Sequence, residues 1–505
     1  SLKELRHESM TSYERRPRID AKMIQTMEYP TSEDIAQAFS PTGIVGKLYV
    51  DFDPREEQLT MAQEVRAALE ASENLIVEAG TGVGKSMAYL VPAVLMAKKN
   101  NIAIGVATKT NALLDQLVYH ELPALAQSLG DVTYAPLKGF SHYPCLRKVN
   151  RFVKEGVKMV DVQGTEHSQA PSLGALLSFI DQTDYDDMDS LKMDYRVVPR
   201  RAVTTTSHDC LRRKCPFYGT TCFVHGARRF AETADVVVTN HTLLFCDAAA
   251  DNGLLPPVRH WILDEAHGAE TEARRAFSLE IAAEDVTRLA QKVASGESRN
   301  VYARAERKLS SSLKNDGATL FEGLIGKAKS AGDMFAAAAP EFAPHIKDLL
   351  YFDPNKRSRN YDRTELWLND DIRASETFGS LRTFAKAMQT SAEKAITCSQ
   401  ELVGYLENIE GAAEPQREIA SVAMDLKDLV GAVEVIFGEK SDSYAYAAEL
   451  CRKKDKQTDK LEALVVNVGE ALEDKLYSQT KSVVFASATL SIDGDFTSFE
   501  NAMGL

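Results

Sequence analysis

The spacing of apolar residues changes character several times along the chain, and each change predicts an element. TSEDIAQAF places Thr31 or Ser32 ahead of acidic residues, a helix-start signal. PREEQLTMAQEVRAALEA then repeats apolar residues at helical spacing through Leu59, Val65 and Leu69. NLIVEAGTGVGKSMAYLVPAVLMA reads as strand, glycine-rich turn and helix, and IAIGVAT predicts a second strand running into TKTNALLDQL at Thr108 to Leu117. Much later, VRHWILDEAH predicts a strand that delivers Asp264, Glu265, Ala266 and His267 at its carboxyl end. KSVVFASATLSIDGDF predicts another buried strand, followed by Ser487, Ala488, Thr489 and Leu490. From about Gly268 to Ala463 the pattern is mostly amphipathic helix, as in IAAEDVTRLAQKVA, GSLRTFAKAMQTSAEKAITCSQELVGYLENI and REIASVAMDLKDLVGAVEVIF. KNDGATL and FDPNKRSRNYDRTE read as loops at the edges of that interval.

With 505 residues, the chain has room for two to four domains. Its longest apolar run, AYLVPAVLMA at Ala88 to Ala97, is about half of the ~20 residues a membrane helix needs, so no membrane association is expected. The polar N-terminus SLKELRHESMTSYERRPRID lacks the apolar core of a signal peptide, and residues 1–30 read as a tail or linker. The first residue is Ser rather than Met, which suggests a piece of a longer product. An odd cysteine count of seven, no secretion signal and the chain's size point to a reducing cytoplasm.

The net charge of −14 argues against a polyanion partner, but it hides a local reversal. Lys138 to Lys158 holds six basic residues against one acid, and Arg200 to Arg229 holds seven against one. Phe140, Tyr143, Phe217, Tyr218 and Phe223 are interleaved with them. That mixture suits base stacking with phosphate attraction, and it equally suits a solvated charged face over buried aromatics.

AGTGVGKS, Ala79 to Ser86, matches the phosphate-loop pattern except that Ala79 replaces the first Gly. Gly80, Thr81, Gly82 and Gly84 would wrap backbone N–H groups around phosphate oxygens, Lys85 would reach the β and γ phosphates, and Ser86 would ligate Mg²⁺. The alternative is a glycine turn between strand and helix. Asp264 could hold Mg²⁺ while Glu265 orients the attacking water, with His267 beside them. Ser487 and Thr489, at a strand tip, could sense the γ-phosphate through Asp264 or His267, or simply cap the strand.

AGTGVGKS, DEAH and SATL, in that order, resemble the first motor domain of a superfamily-two helicase. KGFSHYPCLRKV, CLRRKCPFYGTTCF and ADVVVTNHTLLF narrow the resemblance to the DinG branch of the XPD-like iron–sulfur helicases. It covers roughly residues 35–270 and 460–505. The implied fold is α/β, a RecA-like parallel sheet motor domain with an iron–sulfur insertion and a mostly helical arch insertion. The implied boundaries are motor domain 1 over 31–137, 235–267 and 464–505, the cluster domain over 138–234 and the arch over 268–463, with the second motor domain absent.

The resemblance carries a 4Fe–4S cluster onto Cys145, Cys210, Cys215 and Cys222. Zinc, completed by His142, His208 or His225, and unliganded thiols remain open alternatives. The cluster would be structural, cross-linking a lobe poor in apolar residues. The acidic loop DQTDYDDMD, Asp181 to Asp189, is expected to be solvated and turned away from the strand. Cys246, Cys398 and Cys451 read as packing residues. Gln58, after Arg55, resembles the adenine-recognising residue, against the alternative of a surface glutamine. The strand tips near Thr108, Thr110 and Asn240 would face DNA, whereas His241 either caps, packs or touches DNA.

The implied activity is ATP- and Mg²⁺-dependent, 5′ to 3′ translocation on single-stranded or forked DNA, relevant to DNA repair. The rival reading is a single-strand-binding or regulatory module without productive turnover. The family's QxxGRxxR motif is missing, since no Gly-Arg dipeptide occurs in the chain. This piece is therefore expected to turn ATP over poorly and not to unwind duplexes alone. The parent protein would add a second motor domain, with room for an N-terminal nuclease domain.

Overall fold

The aliphatic runs of the sequence become the buried middle of a parallel sheet. A computed structural model describes residues 17–49, 52–80, 82–250, 253–297, 299–310, 316–354, 362–453, 458–491 and 493–505. Its strands, in chain order, begin with β1 (Leu75–Glu78), β2 (Ile104–Thr108), β3 (Tyr134–Pro136), β4 (Met159–Val162), β5 (Thr165–Ser168) and β6 (Val236–Asn240). They continue with β7 (His260–Asp264), β8 (Leu279–Ala282), β9 (Arg363–Trp367), β10 (Tyr444–Cys451), β11 (Lys460–Val465) and β12 (Ser482–Ser487).

The described residues group into two compact units. The first comprises Ser1–Thr206, Cys215–Phe277 and Asn467–Leu505, and the second Ser207–Lys214 and Ser278–Val466.

In the first unit six strands pair in the order β1-β12-β7-β2-β6-β3, every pair parallel. Parallel sheets need both faces covered, which explains why β2, β7 and β12 are buried along their whole length. The helices Glu56–Ala71 and Lys85–Asn100 supply part of that cover through Met61, Val65, Leu69, Tyr89, Leu90 and Val94. Gly105 is required where β2 passes β7, because a Cβ there would lie 2.3 Å from the Trp261 ring. Parallel pairing also puts every carboxyl end on one edge. Glu78 is level with Ser487, Ala486 with Asp264, and Thr108 with Asn240. Four motifs far apart in sequence therefore converge on a single rim, as ligand sites in open α/β sheets do.

The second unit packs the long helices Asp316–Phe342, Glu376–Leu406 and Ala413–Phe437 around a core that includes Phe335, Phe342, Phe378, Leu402 and Leu426. It also carries a four-stranded antiparallel sheet, β8-β11-β10-β9, so the interval is less purely helical than its periodicity implies. β10 reads YAYAAELC, whose alanines carry little strand preference, and its partners come from distant segments. IAAEDVTRLAQKVA starts within β8, and its helix begins only at Ala283. Of KNDGATL, helix covers Asp316 onward, and Lys314 and Asn315 lie outside the described residues. The loop FDPNKRSRNYDRTE gives way to β9 at Arg363, residues 355–361 lying outside the described set. Among the described residues no helix is long and apolar enough to cross a membrane.

Candidate active site

The phosphate loop leaves β1 and enters the helix Lys85–Asn100 through two glycines with positive φ, Gly82 at 90° and Gly84 at 84°. A Cβ at Gly80 or Gly82 would meet nothing within 4 Å, so the inner face of the turn is open to an incoming group. Thr81 lies outside the described residues. The loop is clamped from the preceding helix. Gln58 is buried and donates from Nε2 to the Gly84 carbonyl at 2.9 Å, and Arg55 donates from Nη1 to the Gly82 carbonyl. Gln58 is therefore not a surface glutamine.

Lys85 and the acidic end of β7 meet directly. Lys85 Nζ lies 3.0 Å from Glu265 Oε1. Glu265 adopts left-handed backbone geometry at φ 53°, which costs a non-glycine residue roughly 1–2 kcal/mol and is common where a side chain must be aimed. Asp264 is buried, and its Oδ1 has no hydrogen-bond partner among the described residues. Burial, then the charge of Glu265, pushes its carboxyl up to about 6, with Lys85 pulling it back. A buried, orphaned carboxylate oxygen two strands from the loop's Ser86 is the donor a hard divalent cation takes, so this end of the sheet fits Mg²⁺.

His267 and Ser487 close the rim. His267 Nδ1 lies 2.9 Å from Ser487 Oγ and 3.3 Å from Glu265 Oε2, and Ser487 Oγ lies 3.4 Å from Glu265 Oε2. Ser487 thus reaches the site through His267 and Glu265, with no bond to Asp264. The Thr489 N–H points back to Ser487 Oγ at 3.5 Å.

Two further residues of this rim escape sequence reasoning. Glu78 accepts the backbone N–H groups of Leu490 and Ser491, both at 2.6 Å, which ties the end of β1 to the SATL turn. Those bonds, Ser491 first, lower its carboxyl. Lys109 places Nζ 2.8 Å from His267 Nε2. An acid directly before a glycine turn and a lysine directly after a buried strand were the available signals.

The predicted DNA-facing tips are occupied by local bonds. Thr108 is buried and donates to the Thr110 carbonyl at 2.9 Å. Thr110 caps the helix Asn111–Gln116, and Asn240 caps the helix His241–Ala249 while donating to Asn111. His241 packs. It is fully buried against the backbone of Ala107 and Asp264, neither ring nitrogen reaches a partner of good geometry, and burial pushes it down to about 4.

The cysteine lobe corrects two expectations. Lys138 is 1% exposed, and its ammonium pairs with Asp187 at 3.0 Å, Asp189 at 3.1 Å and Asp115 at 3.3 Å. Asp189 also meets Arg200 at 2.5 Å and His142 at 2.9 Å. The acidic loop is thus folded onto the basic segments rather than solvated, because three carboxylates compensate a buried cation that would otherwise be untenable. Burial alone would raise Asp189, but His142, Arg200 and Lys138 hold it well below the usual carboxylate range. Among the aromatics, Tyr143 and Phe223 are core residues, with Tyr185 against Phe223 and Phe230. They offer no face to a base.

Cys145, Cys215 and Cys222 belong to the first unit, and Cys210 sits on the short segment grouped with the second. Cys145 and Cys222 each precede a helix, Leu146–Lys154 and Phe223–Thr233. Burial first, then the neighbouring Cys145, pushes the Cys215 thiol up. None of the seven cysteines forms a disulfide. Among the described residues no group of three or more His, Cys, Asp or Glu side chains is gathered to hold a metal ion. Cys451 is buried and Cys398 half-buried, as expected of packing residues, but Cys246 is exposed.

No protein-family profile matches the chain. It is 34% identical over 259 residues to the ATP-dependent DNA helicase YoaA of Haemophilus influenzae, covering 50% of this chain and 38% of that protein. It is 39% identical over 227 residues to the ATP-dependent helicase DinG of Mycobacterium tuberculosis, covering 42% and 34%. The 3'-5' exonuclease DinG of Bacillus subtilis matches all of this chain at 26% identity over 527 residues, which is 54% of that protein. A solved XPD helicase covers 90% of this chain and 61% of its own at a TM-score of 0.41 and 11% identity, too loose a likeness to argue from. The chain spans about a third to a half of the length of these curated relatives. Over the matched segments the chain is similar to ATP-dependent helicases named DinG and YoaA.

Proposed function

We propose that this chain is the nucleotide-hydrolysing half of an ATP-dependent, 5′ to 3′ DNA helicase, acting on single-stranded or forked DNA together with a second motor domain of the same protein. The observation that carries the reading is the Lys85–Glu265 contact at 3.0 Å beside the orphaned Asp264 oxygen. It joins the phosphate loop to the two carboxylates that such chemistry needs. The names of the relatives, ATP-dependent helicases in two of the three cases, agree with it.

In this reading Lys85 exchanges Glu265 for the β and γ phosphates when nucleotide enters, leaving Glu265 Oε1 open to accept a proton from the attacking water. Ser86 and Asp264 would hold Mg²⁺, which would supply charge neutralisation at the phosphates when bound. Gly80, Gly82 and Gly84 would line the phosphates, and Arg55 and Gln58 fix the loop that presents them, Gln58 lying on the adenine side by resemblance. His267, Ser487 and Thr489 couple the site to the rest of the motor. The domain boundaries expected from sequence are part of the proposal.

Cys145, Cys210, Cys215 and Cys222 are assigned to a 4Fe–4S cluster on their spacing and the family resemblance. The cluster enters as a structural tie and carries no step of the reaction.

The experiment is ATP hydrolysis by the full-length natural protein with and without single-stranded DNA. Glu265→Gln should lower kcat by about 10²–10⁴ while leaving nucleotide binding in place. DNA-stimulated turnover at the unsubstituted rate would sink the assignment.

A further inference from the structure

One cavity of the first unit lies apart from the nucleotide site and is walled by rings and carboxylates. It measures about 190 Å³ and is lined by β3, by the loop carrying Asp184, Asp186 and Asp187, and by the helix Phe223–Thr233. We propose that it is a recognition site for a guanidinium group, the head of an arginine presented by a partner polypeptide. The inference does not rest on the motor reading.

β3 ends the strand order, with β6 on one side. The Thr133 carbonyl and the Leu137 N–H bond to β6, at Val236 and Val238. Backbone groups alternate sides along a strand, so Tyr134 and Pro136 turn theirs outward at the edge that lines the cavity. Pro136 has no N–H and offers only a carbonyl. A guanidinium only donates, in a planar fork, and fits such acceptors together with carboxylates.

The rings are set before anything binds. Tyr185 donates to the Thr220 carbonyl at 2.9 Å and lies against Phe230, the centroids 5.6 Å and the ring planes 71° apart. Gly226 makes room for it, since a Cβ there would lie 2.1 Å from the Tyr185 ring. A π-helical turn, Leu117–Glu121, puts Tyr119 at the mouth, 63% exposed. Tyr119 and Tyr134 supply the faces on which a flat cation stacks. Partial burial, then the charges of Asp187, Asp186 and Asp115, push the Tyr119 phenol up against a smaller pull from Lys138. The mouth is therefore negative, which draws a cation and repels a phosphate chain. The volume falls below the roughly 300 Å³ of small-molecule pockets, which leaves room for one side-chain head whose chain continues outside.

The test is calorimetric titration of the full-length protein with a short arginine-containing peptide, its citrulline counterpart and N-acetyl-arginine amide. The arginine peptide should bind, and citrulline, similar in shape but uncharged, should weaken binding about tenfold or more. Tyr119→Ala should weaken it about fivefold or more, and Tyr119→Phe, which keeps the ring, by less than about twofold. Asp186→Asn should lower the affinity and flatten its salt dependence. Tyr119 is exposed, so both of its variants should keep the unsubstituted rate of ATP hydrolysis. No binding by either arginine probe, equal binding of the citrulline peptide, indifference to Tyr119→Ala, or displacement of the peptide by oligothymidylate overturns the inference. N-acetyl-arginine amide should bind more weakly than the peptide, and equal affinity would make the ligand a free small guanidine and overturn the partner. None of these readouts needs hydrolysis, so their failure is distinguishable from failure of the ATPase reading.

Discussion

The carboxyl rim of the sheet and the lobe carrying Cys145, Cys215 and Cys222 belong to one unit, yet they are held by opposite means. The rim is fixed by backbone pairing. Parallel register puts Glu78, Ser487, Asp264 and Thr108 at neighbouring strand ends whatever their side chains do. Its functional groups meet before any ligand arrives, as the Lys85–Glu265 contact attests. The lobe has short elements, and its hairpin β4–β5 stands apart from the main sheet. Its buried lysine, Lys138, is held inside a ring of aspartates. The rim is positioned by the backbone ladder, and the lobe by side-chain charge pairs.

That contrast can be broken most forcefully at Lys138. Lys138→Met should destabilise the lobe by about 3–5 kcal/mol, the cost of stripping a buried charge cluster of its counterion. Limited proteolysis should then cut within residues 138–234 while nucleotide binding persists. Equal loss of both would mean that the rim depends on the lobe and that the comparison fails.

A smaller effect is expected from Cys215→Ser, which should lower bound iron and acid-labile sulfide, weaken single-strand binding and spare the nucleotide site. Anaerobically purified protein should be brown. A colourless protein with stoichiometric zinc would replace the cluster with a zinc site.

The smallest effect is one of pH. Asp189 is held below its ordinary range, so it contributes stability that is fully present above its unfolded pKa of about 4 and is lost as pH falls through its folded value. Acid should therefore loosen the lobe, and Asp189→Asn should remove that part of the pH dependence. An unchanged acid limb in the variant would place the sensitivity elsewhere.

What was legible in the sequence follows the same division. AGTGVGKS, DEAH and SATL could be read because each couples a local motif to a strand whose aliphatic run announces burial, and parallel pairing did the rest. The sheet β8-β11-β10-β9 could not, since Lys460–Val465 reads KLEALV, a good helix sequence, and its partner β8 lies almost two hundred residues earlier. The folding of Asp187 and Asp189 onto Lys138 was hidden for a related reason, because charge pairing across some fifty residues leaves no periodicity. The resemblance alone supplied the cysteine assignment, since cysteine spacing carries no periodicity that a fold must obey.

The central claim is that the glycine turn and the acidic end of β7 form one nucleotide site on this chain. Equilibrium binding of Mg·ADP to the chain and to its Lys85→Ala variant tests it most directly. The account predicts binding that the substitution weakens by about tenfold or more, the loss of a charge-assisted contact to phosphate. Equal affinity in the two proteins would contradict it.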